Sequence, residues 1–86
     1  MSIIGDKVKV AILKTSGENK PDASTLKDDA DMADFEFNSA QNISLTGKLN
    51  AIGRSQSTSA TAITVASIEA ADKVQDCIDI VTKAIG

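Results

Sequence analysis

The chain has 86 residues with no His and one Cys, and 12 acidic residues outnumber nine basic ones to give a net charge of -3. This length allows one small domain, and the composition excludes His-based catalysis, His metal sites, a disulfide framework and multi-cysteine zinc sites. The acidic balance argues against nucleic-acid binding, and no apolar run approaches the roughly 18 residues of a membrane-spanning helix.

The first 20 residues form an N-terminal segment and linker whose conformation the pattern leaves open. Apolar residues alternate from Val8 to Ile12 as in a strand, whereas the wider apolar set that starts at Ile3 fits a helix nearly as well. Gly17 and Pro21 lie in a stretch that is typical of a linker.

Residues 1–14 lack a basic head followed by an apolar stretch and a small-residue cleavage site. We therefore expect no cleavable signal peptide. The localisation stays unknown, since this expectation fits both a cytoplasmic protein and one exported by a signal-less route.

A first helix is predicted over residues 22–52. Apolar residues recur at steps of three and four from Leu26 to Ala40 and again from Leu45 to Ile52, and no proline follows Pro21. Residues 34–38 offer a local alternative, because they alternate with period two as in a strand. The longer period includes more residues and favours the helix.

A second helix is predicted over residues 60–85. Its main apolar stripe follows helical spacing at Ile63, Ala66, Ala70, Val74, Cys77, Val81 and Ala84. Ile68 and Ile80 fall outside this stripe, so we expect them to be exposed on a monomer and to contact a second surface.

Residues 53–59 separate the two predicted helices. This Ser-rich stretch has no large apolar residue and is typical of a turn. The sequence therefore predicts an all-α fold, in which residues 21–86 form a helical hairpin of two antiparallel helices. Because Gln56 and Ser59 continue the helical spacing, one long bent helix remains the alternative.

Charge is segregated along the chain. The net charge is +2 over residues 1–20, -5 over residues 21–40, +2 over residues 41–68 and -2 over residues 69–86. Such blocks are able to pair within one folded chain or between copies, although solvated faces on unrelated segments explain them equally well.

No group of residues predicts catalysis, a metal site or a cofactor. The acidic cluster from Asp28 to Asp34 fails the pattern of a calcium-binding loop, which requires a Gly at its sixth position. Cys77 lies on the apolar stripe, so we expect a buried structural thiol. An enzymatic function is not expected.

The segment from Ser67 to Ile85 resembles the C-terminal helix of the small axial subunits of type III secretion systems, the needle and inner-rod proteins. The similarity is an amphipathic helix with an Ile- and Val-rich, Lys-containing last turn, and it covers about a quarter of the chain. The resemblance implies a helical hairpin that stacks into a tube.

Two functional hypotheses follow from these patterns. The first is a structural subunit that forms homo-oligomers, with its interface at Ile63, Ile68, Val74, Ile78, Ile80, Val81 and Ile85. The alternative is a small binding module, such as a secretion chaperone, adaptor or regulator, which holds a helix of a heterologous protein partner in a groove.

Overall fold

Four α-helices and two short 3-10 helices make up the regular structure of residues 3–86, the part of the chain that the computed structural model describes. The α-helices are α1 (Ile3–Thr15), α2 (Ser39–Gln56), α3 (Val65–Glu69) and α4 (Val74–Ile85). The 3-10 helices are Ala23–Thr25 and Met32–Phe35. The predicted all-α class is confirmed, with no strand among the described residues and one isolated antiparallel bridge between Asp31 and Lys73.

The N-terminal segment is a helix. In α1 the residues Val8, Ala11 and Ile12 are spaced to lie on one face, and all three are buried. The helix ends in a Schellman motif, in which the Glu18 N–H donates to the Leu13 carbonyl at 3.1 Å. Gly17 occupies the left-handed position of that motif at φ 105°, which a residue with a side chain rarely adopts.

The helix predicted over residues 22–52 begins only at Ser39, so the first part of that prediction is wrong. Residues 22–38 hold the two 3-10 helices instead, and the first of them is capped by Asp22, whose carboxylate accepts from the Ser24 N–H at 3.0 Å. The strand alternative for residues 34–38 is also wrong, because Glu36 turns the backbone into the left-handed region at φ 52°.

Helix α2 starts at a reciprocal capping box. The Asn38 side chain accepts from the Gln41 N–H at 2.8 Å, and the Gln41 side chain accepts from the Asn38 N–H at 2.9 Å. At its other end the helix continues to Gln56, so the predicted turn over residues 53–59 starts too early. Chain reversal occurs after Ser57, where the Ala60 side chain approaches the helix at Gly53.

The helix predicted over residues 60–85 is interrupted. Residues 57–64 are not helical, and α3 is separated from α4 by residues 70–73. Asp76 stabilises this break, because its carboxylate accepts from the backbone N–H groups of Asp72 and Lys73, each at 3.0 Å. These bonds fix the start of α4 and prevent α3 from continuing into it.

The segment 28–32 supplies hydrogen bonds that α4 cannot make within itself. The first N–H groups of a helix have no acceptor in the helix. Here the Val74 N–H donates to the Ala30 carbonyl at 2.9 Å, and the Gln75 N–H donates to the Asp28 carbonyl at 2.8 Å. The Met32 N–H returns a bond to the Asp72 carbonyl at 2.8 Å.

The core lies between α1, α2 and α4, each of which contacts the other two, while α3 packs against α2. Its buried apolar residues are Val8, Ala11, Ile12, Leu26, Met32, Leu45, Leu49, Ile63, Ile68, Val74, Cys77, Ile78 and Val81. The radius of gyration is 11.6 Å, close to the roughly 12 Å of a compact domain of this length. The two-helix hairpin is not confirmed, because α1 contributes to the same core.

Candidate functional site

The seven residues predicted for an interface fall into two groups. Ile63, Ile68, Val74, Ile78 and Val81 are buried in the core, whereas Ile80 and Ile85 are half-buried and pack against it. A contact between copies through the buried five requires the fold to open. A role of these residues in an interface between copies stays a prediction, and in the folded chain Ile80 and Ile85 are the more accessible members of the set.

Ile68 was expected to be exposed, and this expectation is wrong. Its side chain is 2% exposed. The expectation assumed one continuous helix, but the break at residues 70–73 lets α3 take its own orientation and pack against α2. Ile80, which was also expected to be exposed, is half-buried.

A shallow groove between α1 and α2 is here called the basic face. It has a volume of about 430 Å³ and is lined by Asp6, Lys7, Val10, Ala11, Lys14, Lys48, Ala51 and Ile52. Helical spacing explains this set, because residues 7, 10, 11 and 14 lie on one side of α1 and residues 48, 51 and 52 on one side of α2. The result is an apolar floor with three lysines and one carboxylate around it.

Among the described residues, the lysines of the basic face form no ion pair. The Lys48 ammonium donates to the hydroxyls of Ser44 at 2.8 Å and Thr15 at 3.2 Å, which are neutral acceptors. Within residues 3–86, neither Lys7 nor Lys14 forms an ion pair. The basic face therefore presents positive charge beside apolar surface.

A second concavity is here called the acidic groove. Its volume is about 270 Å³, and its lining is Met32, Ala33, Glu36, Phe37, Asn42, Ile68, Glu69, Ala71 and Asp72. The carboxylates of this lining belong to exposed residues, while Met32 and Ile68 form a buried floor. The aromatic ring of Phe37 stacks on that of Phe35, with 5.4 Å between the ring centroids.

Two of the charges in the acidic block over residues 21–40 are paired with lysines from other parts of the chain. Lys9 forms an ion pair with Asp28 at 2.5 Å, and Lys73 forms one with Asp31. The Asp31 carboxylate accepts a hydrogen bond from the Lys73 ammonium and so raises the pKa of Lys73. Both pairs lie outside the two grooves, which leaves the charges of the basic face and the acidic groove available.

Cys77 is buried, as predicted, with 0% of its surface exposed. Burial, reinforced by the nearby Asp76 charge, raises the pKa of this thiol to about 11. The thiol is thus protonated near neutral pH and is shielded from reagents.

Residues 3–86 contain no group of three or more His, Cys, Asp or Glu arranged to hold a metal ion. Among the helices of the same range, none combines the length and the apolar character that crossing a bilayer demands.

Large apolar side chains also remain exposed outside the grooves. Ile3 of α1 is 70% exposed, and Ile43 of α2 is 59% exposed. Sequence reasoning missed both, because Ile3 fits a helical pattern and Ile43 lies beside the predicted stripe of its helix. It also missed Lys48 as a member of the basic face, since only the packing of α1 on α2 brings it beside Lys14.

No protein-family model, curated protein sequence or solved structure matches this chain.

Proposed function

We propose that the protein is a non-enzymatic structural subunit that assembles with further copies of itself. The observation that carries the proposal is the pair of oppositely charged grooves on one chain. The basic face combines apolar surface with three lysines and one carboxylate, and the acidic groove combines apolar surface with three carboxylates. The two grooves share no lining residue. Protein surfaces that combine an apolar centre with complementary charges at the rim are suited to association.

The form of the assembly is a further part of the proposal. The resemblance of residues 67–85 to needle and inner-rod subunits supports a filament or tube of an export or surface apparatus. In this proposal α2 and α4, which contact each other, correspond to the two arms of the predicted hairpin. Helix α1 packs against both arms and supplies five of the eight residues that line the basic face.

The exposed isoleucines add support for association. A side chain such as Ile3 or Ile43 gains about 1.5–3 kcal/mol when it is fully removed from water. A contact between copies that covers either side chain would remove from water an apolar surface that the monomer leaves 70% exposed at Ile3 and 59% exposed at Ile43.

Size-exclusion chromatography with light scattering over a concentration series tests this function, with negative-stain imaging of the same fractions. We expect the mass to rise with concentration and ordered particles or filaments to be visible. A constant monomer mass up to millimolar concentration would contradict the proposal.

The second candidate function is a binding module for a helix of another protein. The feature that favours it is the open shape of the basic face, whose apolar floor and lysine rim fit an acidic amphipathic helix. A monomeric chain that recovers one stoichiometric protein partner from its source cells supports this function over self-assembly.

A further inference from the structure

We infer that the basic face of one copy binds the acidic groove of the next copy, so that the chain associates head to tail. This inference rests on the proposed function and names the surfaces that would carry it. The occupant of the basic face is thus a second copy of this chain.

Charge complementarity is the first argument. Lys7, Lys14 and Lys48 surround the basic face. The acidic groove offers three carboxylates in return, those of Glu36, Glu69 and Asp72. Charges of opposite sign steer two surfaces together and fix their register, and they reject wrong pairings in which like charges meet.

The lack of ion-pair partners for these charged groups in the monomer also supports the contact. Within the described residues, no ion pair compensates Lys7, Lys14, Glu36 or Glu69, although Lys9 and Lys73 are both paired with aspartates. The fold therefore neutralises some charges internally, and the lysines of the basic face and the carboxylates of the acidic groove are among those that it leaves without an ion-pair partner within residues 3–86.

Apolar surface is the third argument. Val10 and Ile52 contribute to the floor of the basic face, and Phe37, which is half-buried, contributes to the acidic groove. Removing these groups from water would add a non-directional attraction to the directional charge contacts.

The geometry predicts the type of assembly. In the proposed head-to-tail arrangement the basic face of one copy binds the acidic groove of the next without a reciprocal contact, so the contact between copies is heterologous. A heterologous contact either closes into a ring or repeats without limit to give a filament.

Charge reversal on each surface tests the inference. The basic-face variant carries Lys7→Glu and Lys14→Glu, and the acidic-groove variant carries Glu36→Lys and Glu69→Lys. Each variant alone would present two surfaces of like sign, so we expect its self-association to weaken at least about tenfold. Mixed in equal amounts, the two variants regain complementary surfaces and should assemble again.

Three controls separate the possible causes. The variant Lys20→Glu with Lys27→Glu changes the net charge as much as the basic-face variant does, at exposed positions outside both grooves, and should assemble like wild type. Circular dichroism melting confirms that each variant is folded. Raising NaCl from about 0.05 to about 0.5 M should weaken wild-type association, because salt screens exposed charges.

The outcomes are distinguishable. If wild type assembles and either variant alone assembles equally well, or if mixing fails to restore assembly, the head-to-tail contact is overturned while self-assembly stands. If wild type remains a monomer, the proposed function itself fails, and binding of an acidic amphipathic peptide to the basic face would then favour the binding module.

Discussion

The side-chain amide of Asn50 pairs with the backbone of Ile63 through two hydrogen bonds. Its Nδ2 donates to the Ile63 carbonyl at 3.0 Å, and its Oδ1 accepts from the Ile63 N–H at 2.7 Å. Ile63 is only 8% exposed, so water has little access to replace these bonds. One side chain of α2 thus holds the non-helical segment 57–64 against the core.

Removal of this amide should destabilise the fold. We expect Asn50→Ala to lower the free energy of unfolding by about 1–3 kcal/mol, because it leaves a largely buried donor and acceptor without partners. Asn50→Asp should cost at least as much, since a carboxylate oxygen would face the Ile63 carbonyl. Urea denaturation measures both effects. The control is Asn19→Ala at an exposed linker position, and equal effects at the two sites would contradict this role of Asn50.

Two apolar residues of α2 provide a matched test of the core. Leu45 is fully buried, whereas Ile43 is 59% exposed. We expect Leu45→Ala to lower the free energy of unfolding by about 2–5 kcal/mol, because it removes buried methyl groups and leaves a cavity. Ile43→Ala should change it by about 0.5 kcal/mol or less. Thermal or urea melts of dilute, monomeric protein distinguish the two, and similar losses would show that the burial pattern of α2 is incorrect.

Hydrogen exchange tests the contact between segment 28–32 and the start of α4. The amides of Met32, Val74 and Gln75 all donate across this contact. They should exchange at least about a hundredfold more slowly than the exposed amides of Asn19 and Lys20, because exchange requires the contact to open. Residue-resolved exchange by NMR provides the measurement. Fast exchange at all three amides would mean that segment 28–32 does not pair with α4.

Cys77 should make stability depend on pH in the alkaline range. Its pKa is raised from 9.0 to about 11 in the fold, so the folded state favours the protonated thiol. The resulting stability is fully present below pH 9 and is lost as the pH rises through about 11. The loss is on the order of 3 kcal/mol. Urea melts at several pH values measure it.

The variant Cys77→Ala is the control for that experiment. It is less stable at every pH because of the lost packing, but its stability should fall less between pH 9 and 11. Lys73, whose pKa is raised by Asp31, is present in both proteins, so its contribution cancels in the comparison. Parallel pH curves for wild type and variant would show that Cys77 does not cause the dependence.

The sequence predicts best the elements whose packing follows a local period. Val74, Cys77 and Val81 recur at helical spacing and are all fully buried on one side of α4. Leu45 and Leu49 do the same in α2. At these positions one face is apolar over several turns, so the period alone identifies the residues that pack.

The helical spacing of apolar residues predicts the wrong structure where the backbone forms hydrogen bonds with residues far away in the sequence. Leu26, Ala30 and Ala33 fit a helix by spacing, yet the Ala30 carbonyl accepts from Val74 in α4 rather than from its own turn. A local signal for the true start of α2 was present, because Asn38 and Gln41 have the spacing of a capping box. The break before α4 combines the local bonds of the Asp76 carboxylate with contacts to segment 28–32, which lies 40 or more positions away. No local pattern contains those distant contacts.

The sign of charge on part of each groove could be predicted from the sequence, but the set of residues that lines each groove could not. The acidic block over residues 21–40 correctly indicates that Glu36 belongs to a negative surface. The other carboxylates of that groove come from the block over residues 69–86, and Lys48 joins the basic face from a third block. Charge counts along the chain cannot assign these residues, because helix packing decides which blocks become neighbours.

The pairing of segment 28–32 with the start of α4 has a consequence for how the protein acquires its shape during synthesis. Asp28 and Ala30 leave the ribosome well before Val74 and Gln75. The hydrogen bonds that their carbonyls accept in the fold therefore form only after the Val74 and Gln75 N–H groups have emerged. Helices α1 and α2 are therefore able to pack together first, while residues 22–38 between them still lack their contact with α4. We expect a chain truncated before residue 74 to be cut readily by protease within residues 22–38, and the chain that includes α4 to resist.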